Sequence, residues 1–180
     1  MSETDPLAVP APWVRRFAHL VPAGGPVLDL AAGGGRHARF FAGRHHPSTA
    51  VDLRLDAMAD LAGDGRIELI QADLEGAPWP LGDRRFAGII VTNYLHRPLL
   101  PRLAQALMPG GVLIYETFAV GQAAFGRPSN PDFLLRPNEL LDCFAPFLTI
   151  VAYEHGIDYA PHPAARQRIA AVAGRDLSAL

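Results

Sequence analysis

Short apolar runs separated by polar breaks organise the chain. Val27-Leu28-Asp29-Leu30 and residues 48–53, 66–72, 86–92 and 112–118 are strand-length and dominated by aliphatic side chains, so each reads as a strand. Between them the apolar period lengthens to that of a helix. Residues 36–42 continue as a helix closed by Gly43; Leu55, Met58, Leu61 and Ala62 share one face of a helix over 55–62, and Leu100, Leu103, Ala104 and Leu107 one face over 98–107. Ahead of these, Trp13, Phe17 and Leu20 stand at i, i+4 and i+7 after a lead bearing Pro6, Pro10 and Pro12, so residues 1–25 read as a lead-in with a capping helix. Gly24-Gly25-Pro26 ends that segment, and Met108-Pro109-Gly110-Gly111 reads as a helix stop and turn.

Five strands alternating with helices predict a doubly wound, Rossmann-like α/β sheet, because parallel neighbours need crossovers and right-handed crossovers place helices on both faces. Gly88-Ile89-Ile90-Val91 and Val112-Leu113-Ile114-Tyr115 lack polar alternation, as expected for strands covered on both sides. The last third changes character. A helix over 137–145 is followed by strands over 147–154 and 167–173 joined by a loop without helical pattern, which predicts an antiparallel addition at the sheet edge. This gives seven strands, mostly parallel, in a single domain spanning 1–180 without internal repeats.

Composition narrows the classes. All 16 basic residues are Arg, against 18 acidic ones, and they form no basic stripe, so direct nucleic-acid binding is not expected. The one cysteine, Cys143, lies in an apolar stretch and reads as a buried structural thiol of a reducing compartment. No apolar run approaches the ~20 residues of a membrane helix, and the first residues lack the order of a signal peptide. A cytoplasmic protein is expected. Adjacent His45 and His46 cannot easily share one ion and have no third ligand at fitting spacing, so no metal site is expected.

Ligands of open parallel sheets bind beyond the carboxyl ends of the strands, where strand order reverses. Here those ends are Asp29, Asp52, Asp73, Asn93 and Glu116. The glycine loop after the first strand permits two readings. Gly33-x-Gly35-x-x-Ala38 fits a relaxed dinucleotide fingerprint, with Asp52 standing 17 residues beyond Gly35. Alternatively, Asp29-x-Ala31-x-Gly33-x-Gly35 sets an acid just before the loop, which suits a cationic ligand better than a pyrophosphate.

The segments VLDLAAGGGRHARFFA, AVDL, QADL and FAGIIVTNYLHRPLL followed by LMPGGVLIYETF resemble the class I S-adenosylmethionine-dependent methyltransferases, and most of all their small tellurite-resistance-type and thiopurine-type members. The resemblance runs from Val27 to the C-terminal strand. It implies that Asp29, Ala31, Gly33 and Gly35 wrap the methionine moiety of the co-substrate and that Asp52 binds both ribose hydroxyls. It also sets Leu53 and Leu74 beside the adenine, Asp73 on the adenine amino group, and the Asn93 backbone at the closing edge. Ala31 replaces a glycine common in the family, and Asn93-Tyr94-Leu95-His96 departs from the Asn-Pro-Pro-Tyr signature of enzymes that methylate nucleic-acid amino groups. A small-molecule acceptor is therefore expected.

Methyl transfer is an in-line displacement, of whose barrier alignment alone can supply roughly 7 to 11 kcal/mol. A base is needed only where the nucleophile arrives protonated. The catalytic candidates are His96, whose unperturbed pKa of ~6.5 suits proton transfer, Tyr94 and Glu116. His96 also reads as a cap of the following helix or a partner of a backbone carbonyl, and Tyr94 as a wall of the cofactor pocket. His37 reads either as facing the ligand or as a solvated first-turn residue. Residues 119–135, with Phe125, Arg127 and Phe133, are too long for a tight connection and read either as a lid over the acceptor or as a surface loop whose aromatics fill the core beneath. Two other functions fit the same chain: a nicotinamide-dependent reductase, and a catalytically inactive cofactor-binding subunit of a partner enzyme.

Overall fold

The structure is a computed structural model that describes residues 9–160 and 162–174, so residues 1–8 of the lead-in lie outside the described residues. Seven strands form one sheet: β1 Val27–Leu30, β2 Ser48–Asp52, β3 Ile67–Gln71, β4 Phe86–Thr92, β5 Leu107–Phe118, β6 Thr149–Asp158 and β7 Ala164–Val172. Their order is β3-β2-β1-β4-β5-β7-β6. β7 is antiparallel to both of its neighbours, β5 and β6, and the other pairings are parallel. The direction of winding reverses between β1 and β4, which opens a crevice at their carboxyl ends.

Alternation within each strand divides the core in two. Leu28, Leu30, Ile89, Val91, Leu113 and Tyr115 face α3 (Leu100–Gln105) and α4 (Glu139–Phe144), which contribute Leu100, Leu103, Leu140 and Phe144. Val27, Ile90, Val112 and Ile114 face α1 (Pro12–Phe17) and Phe41 of α2 (Arg36–Ala42). Covering both faces is why these strands carry so few polar residues. No helix among the described residues is long and apolar enough to cross a membrane.

Several boundaries differ from those expected. The helix over 55–62 is a 3-10 segment, Asp56–Leu61; its inward residues Leu55, Met58 and Leu61 recur every three positions, the period of a 3-10 turn, on which they stack on one side. The N-terminal helix stops at Phe17 and continues as a 3-10 turn over Ala18–Leu20. Likewise α3 is only Leu100–Gln105, preceded by a 3-10 turn at Arg97–Leu99. The residues read as a helix stop belong to β5: Phe86 pairs with Leu107 and Gly88 with Val112, so 108–111 bulge out of the ladder. Gly110 there has φ +74°, and a Cβ at Gly111 would lie 2.8 Å from the Phe86 carbonyl oxygen. β6 starts at Thr149, leaving Phe147 exposed, and β7 starts at Ala164, because the two strands pair along their full length to Asp158.

Candidate functional site

The loop after β1 takes the left-handed backbone three times, at Ala31 (φ +54°), Gly33 (φ +57°) and Gly35 (φ +71°). The two glycines serve different ends. A Cβ at Gly35 would meet Met58 Sδ at 2.9 Å and Leu61 Cδ1 at 3.0 Å, so this glycine is required by packing against the 3-10 segment. Nothing lies within 4 Å of a Cβ at Gly33, which leaves its backbone open to a ligand. Beneath the loop, Asp29 is buried; its Oδ2 accepts the Ala38 N–H at 2.9 Å and its Oδ1 lies 3.6 Å from His37 Nδ1. The Ala11 N–H donates to His37 Nε2 at 3.2 Å. That nitrogen is therefore bare and the ring proton sits on Nδ1, toward Asp29. His37 is thus neither a ligand-facing residue nor a solvated one. It ties the start of α1 to the acid under the glycine loop, and Asp29 holds the loop from below without lining the cleft above it.

That cleft, about 580 Å³, brings together Ala31, Asp52, Leu53, Asp73, Leu74 and Tyr94, all expected from the sequence. Ala72, Glu75 and Gly76, which sequence reasoning missed, complete the lining. The signal for them was adjacency to Asp73 on the same strand end. Asp52 Oδ2 accepts the Gly33 N–H at 2.8 Å and Oδ1 the Arg54 N–H at 3.1 Å, so the carboxylate is fixed at the tip of β2. Asp73 Oδ1 accepts the N–H groups of Glu75 and Gly76, each at 2.9 Å. The Gly76 and Glu75 hydrogen bonds, helped by nearby His96, hold the Asp73 carboxyl below the ordinary range against a small burial penalty. A Cβ at Gly76 would lie 2.5 Å from Asp73 Oδ2, so a side chain there would displace the carboxylate. Burial, together with the carboxylates of Glu75, Asp73 and Asp52, pushes the Tyr94 phenol upward, and its Oη has no hydrogen-bond partner among the described residues. Carboxylates beside apolar walls suit hydroxyl, amino and cationic groups and repel phosphates.

Across Asn93 lies a second cavity of about 670 Å³. Asn93 adopts φ +55°, donates its N–H to the Glu116 carbonyl at 3.0 Å and accepts Arg166 Nη1 on Oδ1 at 2.7 Å. Glu116, 5% exposed, is ion-paired through Oε2 to Arg168 Nε at 3.0 Å. His96 precedes the Arg97–Leu99 turn without capping it by its side chain, and it lines neither cavity. The three catalytic candidates therefore do not converge on one point: Tyr94 walls the first cavity, Glu116 lies in the second, and His96 stands beside Asp73. No cluster of His, Cys, Asp and Glu among the described residues is arranged to hold a metal ion.

The long connection closes on itself. Ala119 and Leu135 form a bridge, Gln122 accepts the Ala165 N–H at 2.9 Å, and Arg97 donates to the carbonyls of Asp132 (2.7 Å) and Leu134 (2.9 Å). Leu134 and Leu135 fill the core beneath it, whereas Phe125 and Phe133 are exposed, so the aromatics are not the core-filling residues.

No protein-family model and no curated protein sequence matches the chain. Solved structures do. TehB from Haemophilus influenzae superposes with a TM-score of 0.73 at 16% identity over 90% of this chain, which spans only 61% of TehB's length. The 1,6-didemethyltoxoflavin-N1-methyltransferase of Burkholderia thailandensis, solved with 1,6-didemethyltoxoflavin and S-adenosylhomocysteine, gives 0.67 at 22% identity over 91% of this chain and 76% of that one. The N-methyltransferase NodS from Bradyrhizobium japonicum gives 0.66 at 14% identity over 91% and 98%. The chain has the fold of these proteins, two of which are methyltransferases by name, with its mostly parallel seven-stranded sheet and antiparallel β7.

Proposed function

We propose that the protein is an S-adenosylmethionine-dependent methyltransferase acting on a small-molecule acceptor in the cytoplasm. The observation that carries this reading is the Asp52 carboxylate, oriented by the Gly33 N–H at the tip of β2 and shared with a cleft walled by Leu53, Asp73, Leu74 and Tyr94. In this reading Asp52 receives the ribose hydroxyls, Leu53 and Leu74 flank the adenine, Asp73 takes its amino group, and the Ala31–Gly35 backbone and Asn93 border the methionine end. When bound, the co-substrate supplies a methyl carbon on a positively charged sulfur, open to in-line displacement by the acceptor. The chain's task is alignment and exclusion of water. Tyr94, held protonated by its surroundings, serves as a wall. Glu116 serves to hold Arg168. No wall residue is assigned to take a proton, because His96 lines neither cavity; residues 119–135 are proposed as a cover over the acceptor.

The nicotinamide reading is disfavoured by Asp29, whose buried carboxylate takes the Ala38 N–H in the first turn of α2 from beneath and sets negative charge under the helix start that a pyrophosphate would need. Thermal melting separates the two. S-adenosylhomocysteine is expected to raise the melting temperature and NADH to leave it unchanged; the reverse result would establish the reductase.

A further inference from the structure

The second cavity is unusual in its charge. Among the described residues, four guanidinium groups, those of Arg15, Arg36, Arg166 and Arg168, line it with two carboxylates, Glu116 and Asp158. Both carboxylates are taken by Arg168, which pairs with Glu116 through Nε and with Asp158 through Nη2. Arg166 is left with an amide oxygen, Asn93 Oδ1, a Phe118 ring 4.3 Å from its Cζ, and Asp158 no nearer than 3.9 Å. Its side chain is only 19% exposed. Among the described residues Arg36 makes one long contact, 3.4 Å to the Val9 carbonyl, and neither it nor Arg15 forms an ion pair. Burial pulls the Arg166 guanidinium below its ordinary value; the Glu116 and Asp158 carboxylates oppose that shift, and the positive charges of Arg168 and, least, Arg36 add to it. Half-buried like charges facing a common space are costly unless an anion enters between them.

The cavity also lies where an acceptor belongs. It opens beyond the carboxyl ends of β4 and β5, with Asn93 on its wall while the next residue, Tyr94, walls the proposed cofactor cleft. Arg36 directly follows Gly35 of the glycine loop, and Arg166 enters from β7. We propose that this cavity receives a carboxylate or phosphate group carried by the methyl acceptor, gripped between Arg36 and Arg166. The inference rests on the methyltransferase reading and names the acceptor class: a small organic oxyanion, whose charged end is fixed by paired guanidiniums so that its nucleophilic atom points across Asn93. The other source of such an oxyanion is the carboxylate of the co-substrate's own methionine moiety, and the test separates the two.

Benzoate, its neutral counterpart benzamide, and inorganic phosphate are titrated at matched ionic strength into the wild type, Arg36→Gln and Arg166→Gln, each with and without saturating S-adenosylhomocysteine. Calorimetry and melting temperature are the readouts, and Arg166→Lys serves as the charge-retaining control. Benzoate and phosphate are expected to bind with and without S-adenosylhomocysteine, and benzamide not to bind. Each Gln variant is expected to weaken anion binding by roughly tenfold, the loss of one charge-assisted contact, while S-adenosylhomocysteine affinity moves by less than about twofold. The proposal is overturned if benzoate binds no better than benzamide or if the variants bind anions as the wild type does. It is also overturned if S-adenosylhomocysteine blocks the anion and loses affinity in Arg36→Gln, which would assign the pair to the methionine carboxylate. Failure of S-adenosylhomocysteine to bind the wild type would instead overturn the methyltransferase reading, and the ligand-free titrations would still report on the oxyanion site.

Discussion

Ala31 sets a side chain where the loop backbone is left-handed, at φ +54°. A Cβ in that region costs about 1 to 2 kcal/mol, partly offset in any replacement by the greater chain entropy that glycine loses on folding. Ala31→Gly is therefore expected to raise the free energy of urea unfolding by about 0.5 to 1 kcal/mol, and an unchanged or lower midpoint would contradict the strain. Gly35 gives the opposite expectation. Its Cβ would strike Met58 and Leu61 as well as adopt φ +71°, so Gly35→Ala should cost about 2 to 5 kcal/mol in the same measurement. At this scale the sequence was informative for the acids at the strand ends, because each sits beside a turn whose composition announces it. It was silent on Arg36, Arg166 and Arg168, whose shared cavity comes from chain segments about 130 residues apart.

Among the elements, α1 is held to the sheet by Trp13, whose Nε1–H reaches the Ile169 carbonyl at 3.1 Å, and by the His37 contact to Ala11. Replacing His37 with Leu orphans the buried Ala11 N–H and the Asp29 carboxylate oxygen facing the ring, at a cost of about 1 to 3 kcal/mol. Hydrogen exchange should then quicken first in α1 and in the glycine loop; uniform quickening over the whole sheet would deny the local latch. The 119–135 segment is tested by replacing residues 119–130 with a short linker. Methyl-transfer turnover should fall while S-adenosylhomocysteine affinity holds, and unchanged turnover would remove the assignment as a cover. Helices were less legible than strands for a physical reason. Six- and seven-residue helices offer fewer than two turns of periodicity, so the i, i+3 spacing of Leu55, Met58 and Leu61 reads equally as an α-helix or a 3-10 segment.

Across the whole molecule, the mostly parallel seven-stranded sheet and its antiparallel C-terminal strand were legible from the alternation of apolar strands with helices and from the loop joining the last two strands; the strand order, with β7 inserted between β5 and β6, was not, since alternation names the elements and not their neighbours. The interruption of β5 by 108–111 was not, since Pro and Gly there signal a turn whether or not the ladder resumes. The surface carries several carboxylates held below their ordinary values. Arg66 lowers Asp64 to about 2, Arg84 holds down Glu68, and the Gly76 and Glu75 N–H groups hold down Asp73. Each binds its proton less tightly folded than unfolded, so its contribution is complete above the unfolded pKa and is lost as pH falls through the folded one. The melting temperature should accordingly drop as pH falls below about 4, and constancy down to pH about 3 would contradict these contacts. The central claim, that the cleft at the tips of β1 to β3 is the cofactor site, rests on Asp52. Its most direct test is calorimetric titration of S-adenosylhomocysteine into the wild type and Asp52→Asn, which keeps an acceptor for the Gly33 N–H but removes the charge. A loss of about tenfold or more in the variant is expected; equal affinity in both proteins would place the ligand elsewhere and contradict the account.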